Sequence, residues 1–155
     1  MTTQIETTHM VLPADTNPSG NCFGGTLMSW MDLCSAICAT RYCCGPCVTV
    51  SVDDLQFNKP IKLGDIVVIK ASVNWTGKTS MEIGVRVERQ TGLTLTNSTP
   101  TMEHALSGYF SFVALDEDTK KPKAITVFKP SNQDESRRHQ EAQCRREYRL
   151  KKKQC

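Results

Sequence analysis

The sequence predicts an α+β fold in which one apolar helix is wrapped by a curved antiparallel β-sheet. Residues 26–43 contain no Gly or Pro and carry apolar side chains on every side, and four β-like stretches follow them. A helix that is apolar all round must be covered all round. A single curved sheet can cover most of it, and a partner subunit is expected to cover the remainder and any open strand edge.

The four predicted strands are rich in Val, Ile, Thr and aromatic residues, and turn residues separate them. They cover residues 48–57, 65–75, 80–90 and 105–115. In the third strand four apolar residues alternate with polar ones, which places them on one face. The short Thr76–Lys78 connection predicts a hairpin between the second and third strands. Residues 91–101, rich in Thr and Asn, are predicted to form a loop.

The size and charge of the chain bound its class. A length of 155 residues suits one globular unit, which we divide into residues 1–130 and a charged C-terminal segment, residues 131–155. The net charge of +3 is unevenly placed, because the C-terminal segment holds eight Lys or Arg against four Asp or Glu. Residues 1–130 are therefore nearly neutral, which argues against a nucleic-acid-binding core.

The C-terminal segment is predicted to be a charged surface helix that ends in a basic tail. Ser131 and Asp134 have the spacing typical of a helix start. A basic segment of this kind can bind nucleic acid or an anionic membrane. It lacks the interleaved aromatic residues of single-strand binders, which favours a solvated helix.

Membrane insertion and secretion are not expected. No apolar run approaches the ~18 residues that span a bilayer, and Glu6 stands where a secretory signal would be basic. We therefore expect a cytoplasmic protein whose eight cysteines are reduced.

The cysteines offer three other readings. The CGPC run at residues 44–47 occurs in thioredoxin-like redox sites, but those need a strand before the run and a helix after it. Here the predicted order is reversed, which disfavours redox catalysis and leaves a reversible disulfide open. Cys43 and its neighbours lack the second ligand pair of a structural zinc site, so no metal is expected. Cys22 has no nearby His to activate it as a nucleophile.

Asp32 is the only charged residue between Phe23 and Thr40. Burying a carboxylate costs several kcal/mol unless it is paired or protonated. One reading places Asp32 on a narrow solvent-facing stripe with Ser29 and Ser35. The other makes it an acid or base in a cleft, with a pKa set by burial.

The loop before the helix favours the second reading. Asn21 is followed by the glycine pair Gly24 and Gly25 at the helix start. Glycines allow a ligand to approach the backbone closely, and free N–H groups at a helix N-terminus favour an anionic oxygen. This arrangement suits the oxyanion that develops in acyl transfer, and Asp32 lies two turns further along.

Three sequence blocks, taken in order, resemble a known family. They are PADTNPSGNCFGGTLMSWMDL, VTVSVDDLQFNKPIKLGDIV and GKTSMEIGVRV. Over about residues 8–116 the chain resembles the hotdog-fold acyl-CoA thioesterases of the cytosolic acyl-CoA hydrolase type. The resemblance implies a hotdog fold and hydrolysis of acyl-CoA to free fatty acid and CoA without a cofactor. It also implies self-association into dimers and then hexamers.

The resemblance also implies roles for individual residues. Asp32 matches the catalytic carboxylate of the family, acting as a general base on water or as a nucleophile through an anhydride. Asn21 matches an Asn that acts across the dimer interface in some members. Gly24 and Gly25 match the glycines whose amides hold the thioester oxygen.

The remaining matches concern binding of acyl-CoA. The resemblance and the basic residues beside it indicate these substrate-binding candidates: Phe57, Lys59, Pro60, Gly77, Lys78, Thr79, Ser80 and Arg89. Lys59, Lys78 and Arg89 are candidates for the CoA phosphates, or else lie on a solvated face. The alternative function is an acyl-CoA-binding regulatory module that does not hydrolyse its ligand. A carboxylate in the central helix favours the enzyme.

Overall fold

One antiparallel sheet and two helices make up the chain. The computed structural model describes residues 3–91 and 99–153. Its elements are β1 (Gln4–Met10), a 3-10 turn (Pro13–Asp15), α1 (Gly24–Cys43), β2 (Cys47–Phe57), β3 (Ile66–Thr76), β4 (Ser80–Thr91), β5 (Thr101–Ala114) and α2 (Gln133–Lys152). The strand order is β1-β3-β4-β5-β2, and each neighbouring pair is antiparallel. The predicted α+β class, with an apolar helix packed on an antiparallel sheet, is confirmed.

The predicted elements are confirmed with shifts of a few residues, and one strand was missed. Helix α1 begins at Gly24, two residues before the predicted start. The missed strand is β1, which pairs with β3 at one edge of the sheet. His9 of β1 stacks on Trp30 of α1 with ring centroids 4.5 Å apart. Of the predicted loop 91–101, residues 92–98 lie outside the described residues.

Helix α1 packs on one face of the sheet and ends in a left-handed residue. Cys44 has φ 50° and ψ 47°, which stops the helix before Pro46. The buried positions of α1 are Leu27, Met31, Cys34, Ser35, Cys38, Ala39 and Tyr42. Cys34 and Cys38 are fully buried and pack as small apolar residues, as expected.

One face of α1 is not covered within the chain. Met28 is 39% exposed and Leu33 is 58% exposed, although both are apolar. Complete cover by the chain's own sheet is therefore not achieved. The uncovered face lies beside β2, which is an edge strand of the sheet.

Helix α2 begins one residue later than the predicted cap would place it. Its N-cap is Asn132, whose side chain accepts a hydrogen bond from the backbone N–H of Glu135 at 2.9 Å. Ser131 donates from both its N–H and its hydroxyl to the Glu135 carboxylate. The side chains of Asn132 and Glu135 thus both cap the start of the helix. The hydrogen bonds from Ser131 also lower the pKa of Glu135.

Arginines of α2 dock the helix onto the outer face of the sheet, the face away from α1. Arg145 forms an ion pair with Glu82 of β4 at 2.7 Å, and the Glu82 side chain is 1% exposed. Arg149 contacts both Glu82 and Asp53 of β2. The Arg145 guanidinium also lies 3.5 Å from the centroid of the Tyr109 ring. The expectation of a merely solvated helix is therefore wrong for this side of α2.

The described helices offer no membrane span. Across residues 3–91 and 99–153, neither α1 nor α2 has the combination of length and apolarity that a bilayer crossing requires.

Removing the charge of Glu82 is expected to destabilise the protein. Glu82→Gln leaves Arg145 and Arg149 without their shared buried carboxylate, so the free energy of unfolding should fall by about 3 kcal/mol. Urea denaturation followed by circular dichroism measures the change.

The matched control is Glu141→Gln, which breaks the exposed pair between Arg137 and Glu141 of the same helix. It should cost less than about 1 kcal/mol. Equal losses in the two variants would mean that the Glu82 cluster does not anchor α2.

Candidate functional site

The N-terminus of α1 is open to a ligand. Its N-cap residue, Phe23, makes no side-chain capping hydrogen bond, so the amide groups of the first turn are left for other acceptors. A Cβ atom at Gly24 would lie 3.6 Å from the Phe57 ring, and one at Gly25 would lie 2.8 Å from the Phe23 ring. A side chain at residue 25 would therefore require the exposed Phe23 ring to shift.

A cavity of about 290 Å³ lies next to this helix end. Its lining includes Asn21, Phe57, Lys59 and Pro60, four of the residues that the sequence analysis selected. Cys22 lines it too, and burial raises the pKa of the Cys22 thiol to about 11. Such a thiol is protonated at neutral pH, which argues against a cysteine nucleophile.

Arg89 and Lys59 are held by a carboxylate. Arg89 binds Glu103 at 2.8 Å, and Lys59 approaches the same oxygen at 3.4 Å. These two cations lower the pKa of Glu103, with Arg89 contributing most. Arg89 also donates to the Pro60 carbonyl at 2.7 Å. Within the chain, Arg89 thus fixes the segment that lines the cavity.

Two asparagines organise the loop before α1. The side-chain oxygen of Asn17 accepts hydrogen bonds from the N–H groups of Ser19 (3.0 Å) and Asn21 (3.2 Å). The backbone N–H of Asn17 donates to the Asn21 carbonyl at 2.8 Å. Asn17 therefore shapes the turn, and Asn21 faces the cavity. The sequence analysis selected Asn21 and missed Asn17.

Asp32 lies on the uncovered face of α1 and is half-buried. The hydroxyl of Thr49 in β2 donates to its Oδ1 atom at 2.7 Å. Of the proposed companions on its stripe, Ser29 is exposed, but Ser35 is buried and donates to the Met31 carbonyl. Thr49 was missed, because nothing in the linear sequence shows which residue of β2 meets the helix.

The turn that contains Gly77, Lys78 and Thr79 joins β3 to β4, so the predicted hairpin is confirmed. Gly77 donates to the Ser80 carbonyl at 2.7 Å. The carbonyl of Lys78 accepts from Ile125, which ties the turn to the segment after β5.

The single chain does not bring all these groups together. Gly25 and Asp32 are seven residues apart on α1, which is about 10 Å along the axis. Ser80 and Arg89 occupy opposite ends of β4, about 30 Å apart. A general base activates a water molecule, and that water attacks a carbonyl whose oxygen contacts the oxyanion donors. The base and the oxyanion donors must therefore lie within a few ångströms of the same carbonyl. One chain therefore holds the groups predicted to form the site in two separate places, or half-sites.

The cysteine motifs of the described residues lack the surroundings of a thioredoxin-like site. The CGPC run follows α1 and precedes β2, the reverse of the thioredoxin order, as predicted. Burial raises the pKa values of Cys43 and Cys47, which disfavours their thiolates. No group of three His, Cys, Asp or Glu side chains is placed to hold a metal ion among residues 3–91 and 99–153.

Comparisons with known proteins agree on one family. The sequence model of the thioesterase superfamily matches residues 19–96. Acyl-coenzyme A thioesterase 11 from Mus musculus is 36% identical over 153 residues, which are 97% of this chain and 25% of that protein. The chain thus spans about a quarter of the length of this mouse relative.

Solved structures show the same fold. The apo form of a hexameric acyl-CoA thioesterase superposes with a TM-score of 0.85 at 32% identity, covering 96% of this chain and 92% of that one. An acyl-CoA hydrolase from Staphylococcus aureus, in complex with butyryl coenzyme A, coenzyme A and coenzyme A disulfide, superposes with a TM-score of 0.82 at 34% identity. It covers 97% of this chain and 91% of that one.

Three further structures of the Staphylococcus aureus hydrolase each carry alanine in place of one residue. The residues replaced are an aspartate, a threonine and an asparagine. In that chain the asparagine precedes the aspartate by fifteen positions, and the threonine follows the aspartate by seventeen.

Proposed function

The chain belongs to the thioesterase superfamily, and we propose that it hydrolyses the thioester bond of acyl-CoA. The observation that carries the proposal is Asp32, a half-buried carboxylate held by Thr49 at 2.7 Å on an otherwise apolar helix. The open N-terminus of α1 supplies the second element, a set of amides suited to an oxyanion.

The mechanism uses groups of the protein alone. Asp32 accepts a proton from water, whose oxygen attacks the thioester carbonyl. The amides of Gly24 and Gly25 stabilise the oxyanion that forms. The intermediate collapses with cleavage of the C–S bond, and the proton passes from Asp32 to the departing thiolate of CoA. Thr49 holds one carboxylate oxygen, which leaves the other for water.

The two half-sites are completed by a second copy of the chain. The edge strand β2 carries three exposed valines, Val48, Val50 and Val52, and α1 leaves the apolar residues Met28 and Leu33 exposed. Pairing of β2 with β2 of another copy would satisfy this edge and cover the helix. It would also place the Asp32 of one protomer near the helix N-terminus of its partner. The hexameric thioesterase that superposes on this chain supports such assembly.

The substrate-binding groups divide in the same way. Phe57, Lys59 and Pro60 line the cavity beside the glycine pair, and we assign Phe57 and Pro60 to the part of acyl-CoA that lies next to the proposed oxyanion donors. The turn from Gly77 to Ser80, with Lys78 and Thr79, is assigned to CoA at the far end of the sheet. Arg89 is assigned to holding the Pro60 segment, and Lys59 to the CoA phosphates.

An asparagine is the third polar member of the site, and two are candidates. Asn17, Asp32 and Thr49 have the same separations as the three replaced residues of the Staphylococcus aureus hydrolase. Asn21 instead faces the cavity. The separations favour Asn17. Its side-chain oxygen already accepts hydrogen bonds from the loop, so its amino group would donate to the water or to the thioester carbonyl.

Neither a cofactor nor a metal is required by this mechanism, because CoA thiolate is a fair leaving group. The compartment we propose is the cytoplasm. Seven cysteines among the described residues are free thiols, as a reducing compartment would keep them.

Replacing Asp32 should abolish most of the activity. In Asp32→Asn the general base is lost, so kcat for acyl-CoA hydrolysis should fall by ~10²-fold or more. Loss of thioester absorbance in the ultraviolet measures the rate across short to long acyl chains, and avoids thiol dyes that react with cysteines.

The control is Asp118→Asn, an exposed aspartate in the segment after β5, which should keep the wild-type rate. An inactive wild type that still binds acyl-CoA would favour the regulatory binding module. A fully active Asp32→Asn variant would leave a thioesterase whose base lies elsewhere.

The two asparagines are separated by a conservative exchange. Asn17→Asp keeps the oxygen that shapes the loop and removes the amino donor, so kcat should fall about tenfold or more. Asn21→Asp, made in the same loop, should have a smaller effect on kcat. The reverse order of effects would return the catalytic role to Asn21.

Assembly should depend on the β2 edge. Val50→Arg places a charge in the centre of the proposed interface, so sedimentation velocity should show monomers and the activity should be lost with the oligomer. Val127→Arg changes another exposed valine, outside β2, and should leave the oligomer intact. A monomeric wild type with full activity would contradict the composite site.

A further inference from the structure

A second, larger groove lies on the outer face of the sheet, beneath the N-terminal half of α2. Its volume is about 610 Å³, within the range of small-molecule sites. The thioester site proposed above uses other residues, since none of Asp32, Thr49, Gly24 or Gly25 lines this groove. The C-terminal half of α2 is clamped to the sheet through Arg145 and Arg149. The N-terminal half contributes Arg137, Arg138 and Glu141 to the lining and forms the roof.

The sheet register builds the floor of the groove. One row across four strands is Gln4, Ser72, Gly84 and Tyr109, and the next row is Glu6, Lys70, Arg86 and Ser107. The centre of the first row is made of small residues, which produces the depression. A Cβ at Gly84 would lie 2.4 Å from the amide nitrogen of Asn74, so this position accepts only glycine without a shift of Asn74.

Cations face the groove from both sides. Lys70 and Arg86 lie on the floor, where both contact Glu88 at 2.7 Å, and Arg137 and Arg138 lie on the roof. Glu6 and Glu141 are the carboxylates of the lining, and Glu141 is paired with Arg137. Arg138 differs from the others. Its Nε atom is buried and has no hydrogen-bond acceptor within residues 3–91 and 99–153.

A buried guanidinium N–H without an acceptor costs more than a neutral donor in the same position. Arg138 also lines the groove, so its guanidinium can donate a charge-assisted hydrogen bond to an anionic oxygen there. Because cations stand on the floor and on the roof, a ligand that meets both needs at least two anionic groups. The small residues of the floor leave the space that such a ligand requires.

We propose that this groove is a binding site for a small multivalent oxyanion, a molecule with two or more phosphate or carboxylate groups, distinct from the thioester site. Arg138 is its principal contact from the roof, with Lys70 or Arg86 meeting the second anionic group from the floor. Ser72 and Gly84 admit the ligand by their size.

Isothermal titration calorimetry on the full chain tests the proposal, with pyrophosphate and citrate as separate probes. One site per chain is expected, and the tighter probe assigns phosphate or carboxylate as the preferred group. Arg138→Gln should weaken binding about tenfold or more, because a charge-assisted hydrogen bond is lost. Ser72→Leu should weaken it too, since it fills the floor without changing any charge. Circular dichroism confirms that both variants are folded.

Two control variants test whether the probe binds at another basic part of the chain. Lys59→Gln tests the acyl-CoA cavity, whose own cation would attract pyrophosphate, and Lys152→Gln/Lys153→Gln tests the basic end of α2. Both should bind the probes as the wild type does. Absence of binding to the wild type, unchanged affinity in Arg138→Gln and Ser72→Leu, or loss confined to either control variant would each overturn the groove assignment.

Discussion

The absence of a polar face on α1 is the constraint on which the rest of the structure depends. An apolar helix can be stable in water only when every side is covered, and the described part of the sheet does not reach every side of α1. The sheet buries Met31, Cys34 and Cys38 but leaves Met28 and Leu33 exposed. The exposed half adjoins the open edge β2. Any partner that covers the exposed face of the helix would therefore also cover the edge of the sheet.

The same constraint separates the groups to which we assign catalysis. A rigid helix fixes the separation of Gly25 and Asp32 at about two turns, and no side-chain rotation can bridge that distance. In the proposed mechanism, the N-terminal amides and the carboxylate of one helix must therefore act in two different sites. In the proposed dimer, two-fold pairing would do this, because it would bring the start of one helix toward the middle of its neighbour. Two identical sites would then result from one interface.

Much of this was predictable from sequence, and the misses have physical causes. Strong signals were the all-round apolar character of α1, the alternation in β4 and the lone Asp32, because each is local in sequence. Strand β1 was missed because its residues, QIETTHM, are half polar and suit an edge strand. Thr49 depends on the distance between two elements 17 residues apart, which no local pattern encodes. The docking of α2 depends on charges more than 60 residues away from their partners.

That last separation has a consequence for the order of events during synthesis. Glu82 is made long before Arg145 and Arg149, which follow it by 63 and 67 positions. Until Arg145 and Arg149 have been synthesised, β4 can bury its inner face against α1. The Glu82 carboxylate on its outer face must stay hydrated. We therefore expect the sheet to form first as a one-sided layer that α2 covers afterwards. Because Arg149 also contacts Asp53 of β2, the docking of α2 also fastens the edge strand that a neighbouring copy would use in the proposed assembly.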